Sequence, residues 1–384
     1  MKRLVVATAL VAVFSLSLCG VLFTLSAASD YAIALTNEIN CTSQDISDSI
    51  SPQETPVKNN TAISNSSAKS LDFSTSAQSA VVMERSSRRV LFAKNSDAHL
   101  PMASTTKIVT ALTVLNHANL DDVVEVSPKA VGIEGSSIYL RAGEHLTVKE
   151  LLYGLMLRSG NDSAVALALH VAGSIEAFAE MMNETARAAG CSDSNFVNPH
   201  GLHDNEHYTS AHDLAVLTCV ALNNEDFREI VSTKSVRISN EGMEYDRVLI
   251  NKNKLLSNFT DADGVKTGYT KKAGRCFVGS ATRDGMQVVV VVLNCGPMFE
   301  ETADMLNTAF ANYHLEMVIP QNKVCGSRLE KGKNVYYFCP ERFSYPVTDG
   351  ESLTTEIALE SKTPTIKALL NGQTVFERQL VKYN

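Results

Sequence analysis

Three short segments hold side chains that could make and break an acyl bond. They are Ser104-Thr105-Thr106-Lys107, Ser159-Gly160-Asn161 and Lys266-Thr267-Gly268, in that order along 384 residues. A hydroxyl is a weak nucleophile at neutral pH and needs a base within hydrogen-bond reach. Ser-x-x-Lys supplies both, and a helix starting near Ser104 would stack the two side chains one turn apart on one face. Lysine serves as a base only when its pKa is depressed, by burial or by a second cation. Lys266 is the candidate for that second cation. Taken alone, the tetrapeptide reads as an N-cap serine and a surface lysine. The ordered combination of the three segments is what points to serine acyl transfer.

The surrounding chain predicts the elements that would hold these groups. Pro101-Met102-Ala103 reads as an extended lead-in, and Lys107 to Leu115 is apolar nearly all round, as a buried helix would be. The start of that helix would bring backbone N–H groups and the positive dipole end near a reacting carbonyl. Leu151 to Leu157 is a second apolar run, and a new helical pattern follows from Ala164 to Val171. Ser159 and Asn161 therefore fall at a tight turn, whose plain structural reading is a corner with Gly160 in the left-handed region. Further on, Lys266 and Thr267 precede two apolar strands, 276–282 and 287–294, joined by an Asp284-Gly285 turn. The pair would lie on a strand edge, with Gly268 bare so that a substrate backbone can approach.

Further stretches extend the pattern: Ser159 to Ala164, Phe196-Val197-Asn198-Pro199-His200-Gly201-Leu202, Asn251 to Leu256 and Gly264 to Thr270. On these residues the chain, over roughly 76–315, resembles the serine-type D-alanyl-D-alanine carboxypeptidases, the low-molecular-mass penicillin-binding proteins of bacterial cell walls. The resemblance implies an α/β fold of the β-lactamase/transpeptidase type. An antiparallel sheet with strands near 79–84, 89–94, 276–282 and 287–294 would carry flanking helices, and an all-helical half would hold Ser159 and Asn161. It implies Ser104 as nucleophile, Lys107 as the acylation base and Ser159 as proton relay to the leaving amine. Asn161 would hold the substrate backbone, while Lys266 and Thr267, on the strand with Gly268 and Tyr269, would bind the terminal carboxylate. The backbone amides of Ser104 and Tyr269 would form the oxyanion hole. The implied substrate is a peptidoglycan pentapeptide stem ending in D-Ala-D-Ala, with β-lactams acylating the same serine and no cofactor or metal required.

Other chemistries leave traces in the sequence. A class A-type β-lactamase needs a glutamate for its deacylating water. No Glu-x-x-Leu-Asn phrase lies between Asn161 and Lys266, and Glu180 and Glu184 fall on an amphipathic helix, Ile175–Ala189. His203-Asp204-Asn205-Glu206-His207 matches the inverted zincin pattern, with His200 and His212-Asp213 nearby. Pro199 and Gly201 precede it and Ser210 reads as the next N-cap, which places these histidines on a loop rather than one helical face. A catalytically dead binding module is the third alternative, and nothing in the residues recommends it.

Lys2-Arg3 precede an apolar stretch from Leu4 to about Ala28, read as a signal peptide or N-terminal membrane segment over 1–28. Retained, it would attach the protein to the membrane. In either case it directs the chain out of the cytoplasm, to the cell surface or wall. Residues 29–75 read as a Ser/Thr/Asn-rich disordered spacer, 76–315 as the catalytic domain and 316–384 as a small C-terminal β domain with strands such as Asn334–Phe338, Thr354–Leu359 and Thr374–Leu380. Relatives of this kind often end in an amphipathic anchor helix, for which the chain leaves no room after the β domain. Net charge is −8, with no Lys/Arg-rich run after the leader, which argues against nucleic acid as a partner. Cys325 and Cys339 sit symmetrically about Gly332 and are the first candidate for a disulfide. Cys276 would face Leu293, leaving Cys295 a diagonal neighbour; that pair is the weaker candidate, against a default of free buried thiols.

Overall fold

The structure, a computed structural model, describes residues 71–383. The leader, and the spacer up to residue 70, lie outside the described residues.

The strand Met286–Leu293 is buried along its whole length, because both faces of the sheet it belongs to are covered. That is why its sequence reads as an unbroken valine run rather than an alternation. It lies at the centre of a five-stranded antiparallel sheet, flanked by Ser79–Glu84 and Val90–Lys94 on one side and by Gly274–Arg283 and Ala262–Thr270 on the other. Val81, Met83, Val289 and Val291 face a large core shared with the helices Lys107–His117, Val148–Leu157, Asn161–Ala172, Ile175–Ala189 and Ala211–Ala221. Their neighbours Val82, Val288, Val290 and Val292 face the helix Met298–Asn312 on the opposite side.

Several helix starts follow from local chemistry. Thr147 and Glu150 form a reciprocal capping box at Val148–Leu157. Ser174 and Ser210 cap Ile175–Ala189 and Ala211–Ala221 with hydroxyls that accept N3 amides. The Asp284-Gly285 turn takes φ of 49° and 79°, as a two-residue hairpin requires, and sets Arg283 opposite Met286.

Residues 71–75 depart from the spacer reading. Leu71 N–H donates to the Leu91 carbonyl, and the Phe73 and Phe92 rings meet edge to face. Thr75 and Ser76 hydrogen-bond Glu301. Apolar side chains at Leu71 and Phe73 give this segment something to bury, which composition averaged over the whole stretch conceals.

After the helix Met298–Asn312 come eight short strands, His314–Ile319 to Val381–Tyr383, in three small sheets around a second core of Ile319, Tyr337, Ile366 and Phe376. The expected strands appear here as Lys333–Cys339, Leu353–Ala358 and Gln373–Gln379. The 325–339 disulfide does not. The hairpin turns on Lys331 and Gly332 alone, and a bulge between Val324 and Gly326 shifts the register so that Cys339 faces Lys323. Cys325 and Cys339 are both free, bonded to the carbonyls of Lys323 and Glu341. Cys276 and Cys295 are likewise free and buried.

Arg89 joins the two regions. It leaves the end of the first hairpin, sits between the rings of Tyr313 and Tyr345, and makes a bidentate contact with Glu351 at 2.6 and 2.9 Å. It also donates to the Pro346 carbonyl at 2.6 Å.

Candidate active site

Ser104 lies in a single 3-10 turn, Ala103–Thr106, that runs straight into the helix Lys107–His117. The turn starts with Ala103 at φ 51° and closes through Thr105, whose N–H and hydroxyl both reach the Met102 carbonyl. This directs the Lys107 side chain back under Ser104, and its amine is 3.0 Å from the hydroxyl.

Lys107 is fully buried and has no carboxylate partner among the described residues. Its nitrogen touches three oxygens: Ser104 Oγ, Asn161 Oδ1 at 2.7 Å and the His200 carbonyl at 2.6 Å. The last two can only accept. Burial, then the charges of Lys266 and Lys252, push the Lys107 pKa well below its ordinary value. A neutral amine has two N–H bonds and one lone pair. In that form the two carbonyl oxygens would take the N–H bonds, and the lone pair would face the one partner able to donate, the serine hydroxyl.

Asn161 opens the helix Asn161–Ala172, with its Nδ2 on the Glu134 carbonyl at 2.5 Å and its backbone N–H on Ser136 O. Asp162 beside it accepts from the Ile138 and Leu140 amides and from Ser137 Oγ at 2.6 Å. The two residues thereby tie the loop 134–140 to the start of this helix. Ser159 is nearly buried and is itself the residue in the left-handed region, at φ 64°, while Gly160 sits at −60°. This corrects the sequence-based reading. Gly160 is required for a different reason: a Cβ there would lie 2.7 Å from Ser163 Oγ and 2.8 Å from Asp162 Oδ1.

Lys266 and Thr267 lie on the edge strand Ala262–Thr270. Lys266 is buried, donates to the Thr267 carbonyl at 2.8 Å and has no acidic partner among the described residues. Burial, followed by the nearby charge of Lys252, lowers its pKa to about 7. Tyr269 is two-thirds exposed, at 66%. Gly268 is bare for a reason that the sequence did not show. A Cβ there would lie 3.0 Å from the Ser104 amide nitrogen and 3.1 Å from Met102 O, so the backbone approaching it belongs to the turn that carries Ser104.

Three contributors were missed as site residues. Lys252, on Ser136 Oγ at 2.9 Å, supplies charge near both buried lysines. The His200 carbonyl holds Lys107, and Asp162 holds the 134–140 loop. The stretches containing these residues were noted for resemblance, but their roles depend on distances between segments far apart in sequence.

The rival chemistries fare poorly. His207 sits on a loop with both ring nitrogens engaged, by Thr106 Oγ1 and the Val197 amide. Glu180 and Glu184 project to solvent from their helix.

Comparison with known proteins agrees with this geometry. A profile of the S11 peptidase family, D-alanyl-D-alanine carboxypeptidase, matches residues 63–296. The chain belongs to the D-alanyl-D-alanine carboxypeptidase family. The carboxypeptidase is 36% identical to the D-alanyl-D-alanine carboxypeptidase DacF of Bacillus subtilis over 68% of this chain and 69% of the relative. To DacA of Escherichia coli K12 it is 28% identical, over 79% and 82% of the two chains. Its fold matches the crystal structure of penicillin binding protein 5 from Haemophilus influenzae at a TM-score of 0.71 and 26% identity, over 82% of this chain and 99% of that one.

Proposed function

We propose that this carboxypeptidase removes the terminal D-alanine from peptidoglycan stem peptides ending in D-Ala-D-Ala, through an ester on Ser104. Family membership supports a peptidoglycan stem as substrate, binding of β-lactams and action outside the cytoplasm. The observation that carries the residue roles is the buried Lys107 amine, 3.0 Å from the Ser104 hydroxyl and held by Asn161 Oδ1 and the His200 carbonyl, with burial and neighbouring cations lowering its pKa.

In this reading Lys107 takes the Ser104 proton as the oxygen attacks the penultimate D-alanine carbonyl. The oxyanion is held by the amides of Ser104 and Tyr269, which the bare Gly268 allows to lie close together. The proton passes through Ser159 to the departing amine, and D-alanine leaves. Water, activated in turn by Lys107, then cleaves the ester. Asn161 holds the peptide backbone, and Lys266 with Thr267 receives the terminal carboxylate, a buried cation otherwise without an anion. The apolar segment before residue 29 supplies membrane attachment if it is retained.

The test is to incubate the purified protein with a D-Ala-D-Ala-terminated pentapeptide and with penicillin. Free D-alanine should accumulate, penicillin should suppress it, and intact mass should rise by one drug adduct that peptide mapping places on Ser104. An equal adduct on S104A would remove the nucleophile assignment.

A further inference from the structure

His207 belongs to the zincin-like pattern that the proposed chemistry leaves unused, yet it lies directly beneath the nucleophile turn. It is almost fully buried, at 3% exposure, with the Phe196 ring edge-on against it. The Val197 N–H donates to Nδ1 at 3.1 Å, so Nδ1 must be the unprotonated nitrogen. In the neutral ring the proton then sits on Nε2, which is 2.9 Å from Thr106 Oγ1. The Thr106 hydroxyl accepts that bond and donates its own O–H to the Ala103 carbonyl at 2.8 Å. Each donor in the chain Val197, His207, Thr106, Ala103 thus has a single direction.

Ala103 and Thr106 are the two ends of the turn that carries Ser104. Val197 begins the loop whose His200 carbonyl holds the Lys107 amine. Gly201 in that loop packs so tightly on the Ala103 carbonyl that a Cβ would lie 2.0 Å from the oxygen. One imidazole therefore bridges the segment bearing the nucleophile and the segment holding its base.

We propose that His207 is a positioning residue, which sets the Ser104 turn against the His200 carbonyl through Thr106. Burial keeps the ring uncharged, with a pKa lowered to about 4, so it acts as a fixed donor rather than a titrating group. The inference rests on Ser104 as nucleophile. The two fail differently: no adduct on Ser104 removes that assignment, whereas a full-rate adduct in a His207 variant removes only this one.

The test is single-turnover acylation by a reporter penicillin in the full chain, separating the saturating rate from the initial binding constant. Asparagine can reproduce only the Nδ1 acceptor and glutamine only the Nε2 donor. H207N should lose about 10- to 100-fold in the saturating rate with less than about a threefold change in binding, since an ångström of misplacement is worth that much. H207Q should recover most of the rate. T106V should match H207N, T106S should recover, and H207N/T106V should be no slower than either single variant. Wild-type rates in H207N, losses that multiply in the double variant, or a loss confined to binding would each overturn the proposal. If H207N fails to fold, T106V against T106S decides the matter, and a wild-type rate in T106V overturns it.

Discussion

Arg89, at the joint between the catalytic and C-terminal regions, and Lys107 and Lys266, in the cleft, are all buried cations, but their surroundings differ. Arg89 has a bidentate carboxylate, a carbonyl and two aromatic faces. The two lysines have neutral acceptors only, and each lies within range of another cation. At the joint the charge is neutralised within the protein and serves cohesion. At the Ser104 site no carboxylate among the described residues compensates it and both lysines are held below their ordinary pKa, as the proposed base and the proposed anion-binding cation require.

The sharpest way to break that contrast is to remove both kinds of charge and compare. Lys107→Met should abolish acylation, by on the order of 10³-fold or more, without loss of fold. Stability should hold or rise, because keeping a buried amine uncharged costs folding free energy that an apolar chain does not spend. A variant that is both inactive and clearly destabilised would mean that Lys107 is structural. Arg89→Ala should do the opposite, costing about 3–5 kcal/mol in a denaturant melt by stranding Glu351, with penicillin acylation little changed. Unchanged stability there would show that the joint is not held by this ion pair.

Lys266→Met is expected to act on substrate capture, lowering kcat/KM for a carboxylate-ended peptide by roughly 10- to 100-fold, with a much smaller effect on an esterified analogue. In the wild type the Lys266 cation is lost as pH rises through about 7, so kcat/KM should fall on that alkaline side. The matching stability effect has a definite sign. Between about pH 7 and the ordinary lysine value of 10.5 the unfolded chain holds a proton that the folded one has released. Stability should therefore rise with pH across that window, and Lys266→Met should flatten the rise. A flat wild-type curve from thermal melts at several pH values would contradict the assignment. Smallest of all, Lys252→Gln should move the alkaline limb upward by a few tenths of a pH unit, since Lys252 is the charge that adds to burial in lowering Lys266.

The same contrast explains what could be read in advance. Hairpin arithmetic from the Asp284-Gly285 turn set Arg283 opposite Met286, and the ladder follows it. The same arithmetic about Gly332 failed for Cys325 and Cys339, because the turn is centred between Lys331 and Gly332 and a bulge, invisible as composition, then shifts the register again. The side chains proposed for catalysis could be singled out because each motif is a local arrangement, four residues or fewer long. Lys252 was not, since its contribution is a charge felt through space from another segment. Nor was Arg89, which stands next to three ordinary surface-type residues and meets a carboxylate 262 positions away.

Alone, the sequence determined the chemical groups, the helix and strand that bear them, and the hairpins whose partners are neighbours in the chain, because those depend on period, caps and turn dihedrals. The folded chain decided which of those groups are dry, which carbonyls face the Lys107 amine, and which backbone presses on Gly268. Such facts arise from packing between segments far apart in the chain, 93 residues for Lys107 and the His200 carbonyl and more for Gly268 and Ser104, and the acid strength of a lysine follows from that packing rather than from its own identity.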